Sequence, residues 1–363
     1  MTGHTTGRTL IWPVFMPLAA AAVLIVKHFD HIQTSNLPGL MICAVALGGA
    51  VFAAVHHAEL LALRLGEPFG SILLAVAVTI IEVALIVSIL STDTPGSTTI
   101  ARDTVYATLM IVLNGVVGLC LITGGWRHRE QVFRIEGAAA ALAVLGTLAT
   151  LALILPNFTR AVRGPFYAPV QLGVIGVASL ALYVVFVFVQ TVRHRDYFVG
   201  TAPVSHAAQR PSGTVAFLSL ALLLLSLTAV ILLAKAISKP IETLILSAGL
   251  PQSFLGVVIA ALVLLPEGIA SVRAALANQL QNSMNLALGS AIASIGLTIP
   301  IVSIASLLRD DPLVLGISPE DMILLLLTLF VGGLTLGTGR TTVLQGAVHL
   351  VIFCIFLLLS AVP

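Results

Sequence analysis

The sequence predicts an all-α polytopic membrane protein of about eleven transmembrane helices. Three observations carry that reading. Of 363 residues, 58% are hydrophobic and 9% charged, where a soluble domain carries roughly 25% charge, and the mean hydropathy is +1.11. The apolar stretches run to about 20 residues, the length a helix needs to cross the hydrocarbon core of a bilayer. None shows the alternating pattern of a transmembrane barrel strand.

The first apolar run, 10–27, has the size of a signal-peptide core, but the spans that follow make it a retained helix or signal anchor. Windows of apolar sequence then place helices at 38–58, 69–91, 103–124, 137–155 and 169–190. The longest polar connection, Arg193 to Ser212, comes next, and helices follow at 213–234, 253–275, 283–305, 320–338 and 342–362. The expected layout is therefore an N-terminal helix and linker (1–37), a five-helix repeat (38–192), a cytoplasmic connecting loop (193–212) and a second five-helix repeat (213–363). An odd number of helices per half sets the halves in opposite orientations, the architecture of transporters with inverted repeats. Phe69 stands thirteen residues before Glu82, and Phe254 thirteen before Glu267. Downstream of each glutamate lies a helix with small and polar residues at its centre: Asn114 and Gly115 in the first half, Gly289, Ser290 and Ser294 in the second.

With the N-terminus inside, the inner segments hold ten basic residues (Arg8, Arg64, Arg127, Arg129, Arg134, Arg193, Arg195, Arg210, Arg273, Arg340) and the outer ones seven (Lys27, Arg102, Arg160, Arg163, Lys235, Lys239, Arg309). The bias favours a cytoplasmic N-terminus and an outer C-terminus. It also puts Asp310, Asp311, Glu320 and Asp321 outside, as a cation-attracting rim or, the preferred reading, a solvated turn. A formal charge of +2 without a basic run excludes a nucleic-acid partner. Cys43, Cys120 and Cys354 are isolated in apolar spans, the pattern of packing residues rather than a zinc or redox centre.

Glu82 and Glu267 each sit near the middle of a membrane-length stretch. An ionised carboxylate there costs at least about 2.5–3.5 kcal/mol, so an intramembrane acid marks a functional site by default. Two of them, one per half, point to a single site for protons or a cation. Out of water a carboxyl tends to hold its proton unless a cation balances the charge, and the two acids titrate as a coupled pair. Pro266 precedes Glu267 and Gly268 follows it; a proline at mid-membrane is expected to kink or open the helix and free carbonyl oxygens. Carbonyls beside a carboxylate are hard ligands suited to calcium, sodium or potassium. Thr79 offers a hydroxyl one turn before Glu82, and Asn114 and Ser294 are placed to complete the shell. Glu59 and Glu242, which precede the site glutamates by 23 and 25 residues, are candidate cation entrances, with His56 and His57 tuning the response to pH. His349 is expected to be a packed, hydrogen-bonded histidine.

At these residues the chain resembles the cation/proton exchanger family of the calcium/cation antiporter superfamily, most closely its bacterial ChaA-type calcium/proton antiporter branch. The resemblance is carried by VHHAELLALRLGEPFGSILLAVAVTIIEVALIVSIL (55–90) and LLPEGIASVRAALANQLQNSMNLALGSAIASIGLTIPIV (264–302), and length and layout fit throughout. It implies one extra N-terminal helix, two inverted five-helix halves and facing acids at Glu82 and Glu267. The family commonly reads Gly-Asn-x-x-Glu before each acid. Here Val78-Thr79-Ile80-Ile81-Glu82 and Val263-Leu264-Leu265-Pro266-Glu267 lack both Gly-Asn pairs, which leaves room for sodium or potassium beside calcium. The middle loop, with Asp196 as its only carboxylate, lacks the acidic run of many relatives.

The implied activity is secondary antiport exporting calcium against protons in the bacterial inner membrane, with sodium or potassium/proton antiport by the same site as the alternative. Partners are inorganic cations, protons and lipid, and no cofactor is implied. An intramembrane enzyme is disfavoured by the absence of HExxH, GxSxG and paired-aspartate motifs. An ATP-driven pump is disfavoured by the absence of a P-loop, and a channel or scaffold needs no paired acids. Gly48, Gly49, Gly332, Gly333 and Gly337 would let helices slide past one another.

Overall fold

A computed structural model describes residues 11–29, 31–66, 69–90, 97–198, 211–309 and 312–363. Arg8, Asp310, Asp311 and most of the polar 193–212 connection, including Arg210, lie outside the described residues. The described chain forms eleven helices: α1 (Trp12–His28), α2 (Leu37–Leu65), α3 (Phe69–Leu90), α4 (Ile100–His128), α5 (Ile135–Phe158), α6 (Pro169–Arg193), α7 (Gly213–Ser247), α8 (Phe254–Leu276), α9 (Leu280–Arg309), α10 (Pro319–Leu336) and α11 (Val343–Ala361). Among the described residues, nine of them are long and apolar enough to span a bilayer, and the protein is an integral membrane protein.

Several ends are written locally. Asn36 opens α2 by accepting the Gly39 N–H at 2.8 Å, with Pro38 in the first turn, and Gly66 closes it at φ +73°. Ser212 and Ser318 cap α7 and α10 in the same way, accepting from Val215 and Asp321. The largest difference from the sequence expectation is α7, which runs on from residue 234 to Ser247. At about 1.5 Å per residue its 35 residues reach well beyond a ~30 Å core. Its charged end is therefore helix in the interfacial region, and Glu242, expected after the helix, lies within it.

The two long helices α2 and α7 share the most extensive helix contact, with α1 packed on both. Helix α4 packs on α11, and α9 on α6. The first contact brings backbones together at glycines: a Cβ on Gly346 would meet the Ile122 nitrogen at 2.7 Å and the Gly118 carbonyl at 2.9 Å. Of the glycines expected to ease sliding, Gly49 receives Met16 and Gly332 faces Leu142, whereas Gly333 has open space around it. Two short strand pairings tie the helix ends. β1 (Gln131–Val132), between α4 and α5, pairs antiparallel with β2 (Arg340–Thr341), between α10 and α11. Phe166, between α5 and α6, bridges Val314, between α9 and α10.

Candidate functional site

Helices α3 and α8 each begin on a phenylalanine and each carry glutamate as the fourteenth residue. That depth, about 20 Å along the helix, is the middle region of a membrane span. Neither acid faces lipid: Glu82 is 2% exposed and Glu267 7%. Glu267 lies within electrostatic reach of both Glu82 and Glu59, and α3 packs against α8.

The two carboxylates have different surroundings. Ser294 Oγ on α9 stands 2.7 Å from Oε1 and 2.6 Å from Oε2 of Glu82, so its single O–H is shared across the carboxylate. One turn on, Thr298 turns a second hydroxyl toward the same group, outside ordinary hydrogen-bond geometry. Thr79, one turn before Glu82, is buried with its hydroxyl unpartnered among the described residues. Glu267 Oε2 likewise has no hydrogen-bond partner among the described residues. It lines a cavity of about 310 Å³ whose walls include Ala75 and Val78 of α3, Gln190 of α6, and Asn282, Asn285 and Ser290 of α9. Those α6 and α9 residues lie near the helix ends at Arg193 and Leu280. His128 at the end of α4 bonds the Leu276 carbonyl at 2.9 Å, and the Arg134 N–H donates to Gln281, so Arg127, Arg273 and this mouth share one face, the basic face.

The opposite face is packed shut around the start of α4. A Cβ on Gly256 of α8 would sit 2.7 Å from the Asp103 carbonyl carbon and 2.9 Å from the Thr104 nitrogen. Arg102 pairs with Asp103 at 2.7 Å and donates to the Gly316 carbonyl at 3.1 Å. The Thr99 hydroxyl donates to Asp103 at 2.9 Å.

The remaining candidate residues separate into two groups. Glu59 is exposed on α2, toward Glu267, whereas Glu242 is buried and accepts from Gln252 at 2.6 Å. His57 Nε2 bonds the Pro13 carbonyl at 3.0 Å, and the His56 ring lies 5.4 Å from that of Trp12, so both histidines fasten α2 to α1. Asn114 is fully buried, but its amide is turned to α10 and α11: Nδ2 donates to Thr328 at 2.9 Å, and Oδ1 lies 3.1 Å from His349 Nδ1. Helix α8 stays helical through Pro266, so the expected opening is not there. π-turns occur in α4 (Ile111–Val116), α5 (Thr150–Ile154) and α6 (Val189–Arg193); the first faces α8, where Val116 packs on Gly268 beside Glu267.

Sequence reasoning missed Thr298 and the amide side chains at the cavity mouth. Thr298 had a signal, since it shares a helix face with Ser294 four residues earlier. Gln190 had none.

The family model for sodium/calcium exchanger protein matches residues 35–192 and 218–362. Over 358 residues (97% of this chain, 96% of the relative), the chain is 55% identical to the "Putative ionic transporter y4hA" of Sinorhizobium fredii. It is 33% identical over 350 residues to the sodium-potassium/proton antiporter ChaA of Escherichia coli, covering 95% of this chain and 94% of that one. Its fold is that of the selenium-substituted Ca2+/H+ antiporter protein YfkE, with a TM-score of 0.72 at 16% identity over 97% of this chain and 99% of that chain. With two buried glutamates at matched depth and both halves of the sequence matched, the chain belongs to the sodium/calcium exchanger family of membrane cation transporters.

Proposed function

We propose that the protein is a secondary antiporter that exports an inorganic cation, calcium in the first reading, in exchange for protons, with Glu82 and Glu267 as the shared site. The observation that carries this is the pair of buried glutamates, each the fourteenth residue of its helix, in α3 and α8, which pack on each other. Two ionised carboxylates balance one divalent cation, and two protons replace it. Sodium or potassium/proton antiport is the second reading. It is favoured by the name of the 33%-identical relative and by the loss of both Gly-Asn pairs, which removes two amide oxygens from the site.

Alternating access is supported by a route to Glu267 on the basic face and tight packing of α8 on α4 at the other. Two opposed five-helix halves, α2–α6 and α7–α11, are supported by matched contacts: α4 on α11 answers α9 on α6, and the β1–β2 pairing answers the Phe166–Val314 bridge. By the positive-inside rule the basic face is the cytoplasmic one, which supports an N-terminus inside; residence in the cell membrane goes with the exchange reading.

Purified protein in proteoliposomes, loaded with a pH reporter and challenged in turn with calcium, sodium and potassium, tests the proposal. Proton counterflow driven by one of these cations is expected in the parent and is lost in Glu82→Gln and Glu267→Gln. Cation conductance without proton movement, or parent-like exchange in both variants, sinks it and favours a channel or another site.

A further inference from the structure

Behind the candidate site lies a buried polar chain that the exchange reaction, as proposed above, leaves unused. Thr335 and Thr328 on α10, His349 on α11 and Asn114 on α4 are each 3% exposed or less. His349 Nε2 lies 3.1 Å from Thr335 Oγ1, His349 Nδ1 3.1 Å from Asn114 Oδ1, Asn114 Nδ2 2.9 Å from Thr328 Oγ1, and Thr328 Oγ1 2.8 Å from the Leu324 carbonyl. The last carbonyl only accepts, which fixes each proton back to His349 Nδ1, and a neutral imidazole then fixes the last one. Thr328 donates to Leu324, Asn114 to Thr328, the His349 Nδ1–H to Asn114, and Thr335 to His349 Nε2. A neutral histidine with its proton on Nδ1 satisfies every member.

Asn114 occupies the π-turn of α4, the stretch that packs directly on α8 beside Glu267. Single π-turns inserted in α-helices recur at functional sites, where one extra residue lets the helix re-register. Across the centre, Ser294 on α9 bonds Glu82, yet Asn114 on α4 is drawn backward and Glu267 Oε2 is left without a partner among the described residues. The two halves thus differ in whether the polar side chain of the helix next to the acid engages that acid.

We propose that His349 is a positioning residue: with Thr335 and Thr328 it holds the Asn114 amide off Glu267 in this conformation. In the alternate conformation the halves exchange roles, so that Asn114 engages Glu267 as Ser294 now engages Glu82. This rests on the exchange reading given above, and its test reads conformation separately from transport.

In a cysteine-free background, a cysteine placed at Ala75 on the cavity wall is labelled by a membrane-impermeant thiol reagent added at the basic face. His349→Leu removes the donor to Asn114 and is expected to slow labelling by about tenfold, the worth of one buried hydrogen bond whose loss releases the amide. His349→Gln restores a donor to Asn114 and an acceptor for Thr335, and labels at the parent rate. Thr335→Val, nearly isosteric, shows a smaller slowing and covers the case in which His349→Leu fails to fold. In an Asn114→Ala background the His349→Leu effect disappears. Parent-like labelling in His349→Leu, equal loss in His349→Gln, or an effect that persists without Asn114 each overturns the proposal. If Glu82→Gln and Glu267→Gln both exchange normally while this labelling pattern holds, the transport reading fails and the positioning role of His349 stands.

Discussion

Replacing Ser294 by alanine removes the hydroxyl that bonds the Glu82 carboxylate. The bond is short, 2.6–2.7 Å, and the carboxylate is 2% exposed, so water does not replace it. A hydrogen bond to a charged group is worth about 1.5–3 kcal/mol, which converts to roughly a 10- to 150-fold change in an equilibrium. The hydroxyl favours the ionised carboxylate, the form a cation needs, so without it the proton competes better at Glu82. The half-saturating cation concentration for proton counterflow in proteoliposomes at fixed pH should therefore rise by that factor, and raising the pH should shrink the deficit. Ser294→Thr keeps the hydroxyl and should stay near the parent. A Ser294→Ala protein within about twofold of the parent, or equal loss in Ser294→Thr, would refute the reasoning.

Three further outcomes follow from the packing. Gly346→Ala places a methyl against the Ile122 nitrogen and the Gly118 carbonyl, backbone atoms that cannot give way, and should destabilise by about 1–3 kcal/mol, seen as a lowered unfolding temperature in detergent; Gly333→Ala, with open space around it, should leave that temperature unchanged. Ala75→Trp puts a bulky side chain into the 310 Å³ cavity that Glu267 lines while leaving both acids in the sequence, and should abolish exchange in a protein that still purifies as a folded monodisperse species. Gly256→Ala forces α8 off Asp103 and Thr104, and should speed thiol labelling of a cysteine at Thr104 from the face opposite the basic one.

Much of this was legible because a bilayer imposes length and polarity on a helix, so the eleven described helices, nine of them long and apolar enough to span, lie close to where apolar runs put them. The exception, the last thirteen residues of α7, carries Lys235, Lys239 and Glu242, which are as compatible with interfacial helix as with loop, and hydropathy does not separate the two. Glu82 and Glu267 stood out because charge at mid-membrane is expensive. Ser294 and Asn114 were both legible as polar residues on the right helices, but sequence fixes only the helix face. Which neighbour a side chain bonds depends on three-dimensional packing, and Asn114 finds Thr328 and His349, more than two hundred residues away in the chain. His56 and His57 looked like an entrance because they are polar at a helix end. Their partners Trp12 and Pro13 lie on the N-terminal helix, a pairing that no local pattern announces.

The inequivalence of the two acids bears on coupling. An exchanger must not carry its empty, doubly ionised site across the membrane, and two uncompensated carboxylates at about 2.5–3.5 kcal/mol each make that state roughly 10⁴- to 10⁵-fold rarer than a neutralised one. On the proposed exchange, Glu82, bonded to Ser294 and not among the residues that line the cavity, would exchange its proton through rearrangement of α9. Glu267, whose Oε2 has no partner among the described residues and which lines the cavity, would on the same proposal take its proton or its share of the cation from the basic face. Loading is thereby ordered: Glu267 responds first, and occupation of the shared site is complete only when the second carboxylate is neutralised as well. Gly256 packs closely on Asp103 and Thr104 at the far side, so in the proposed cycle entry to this conformation would come from the basic face.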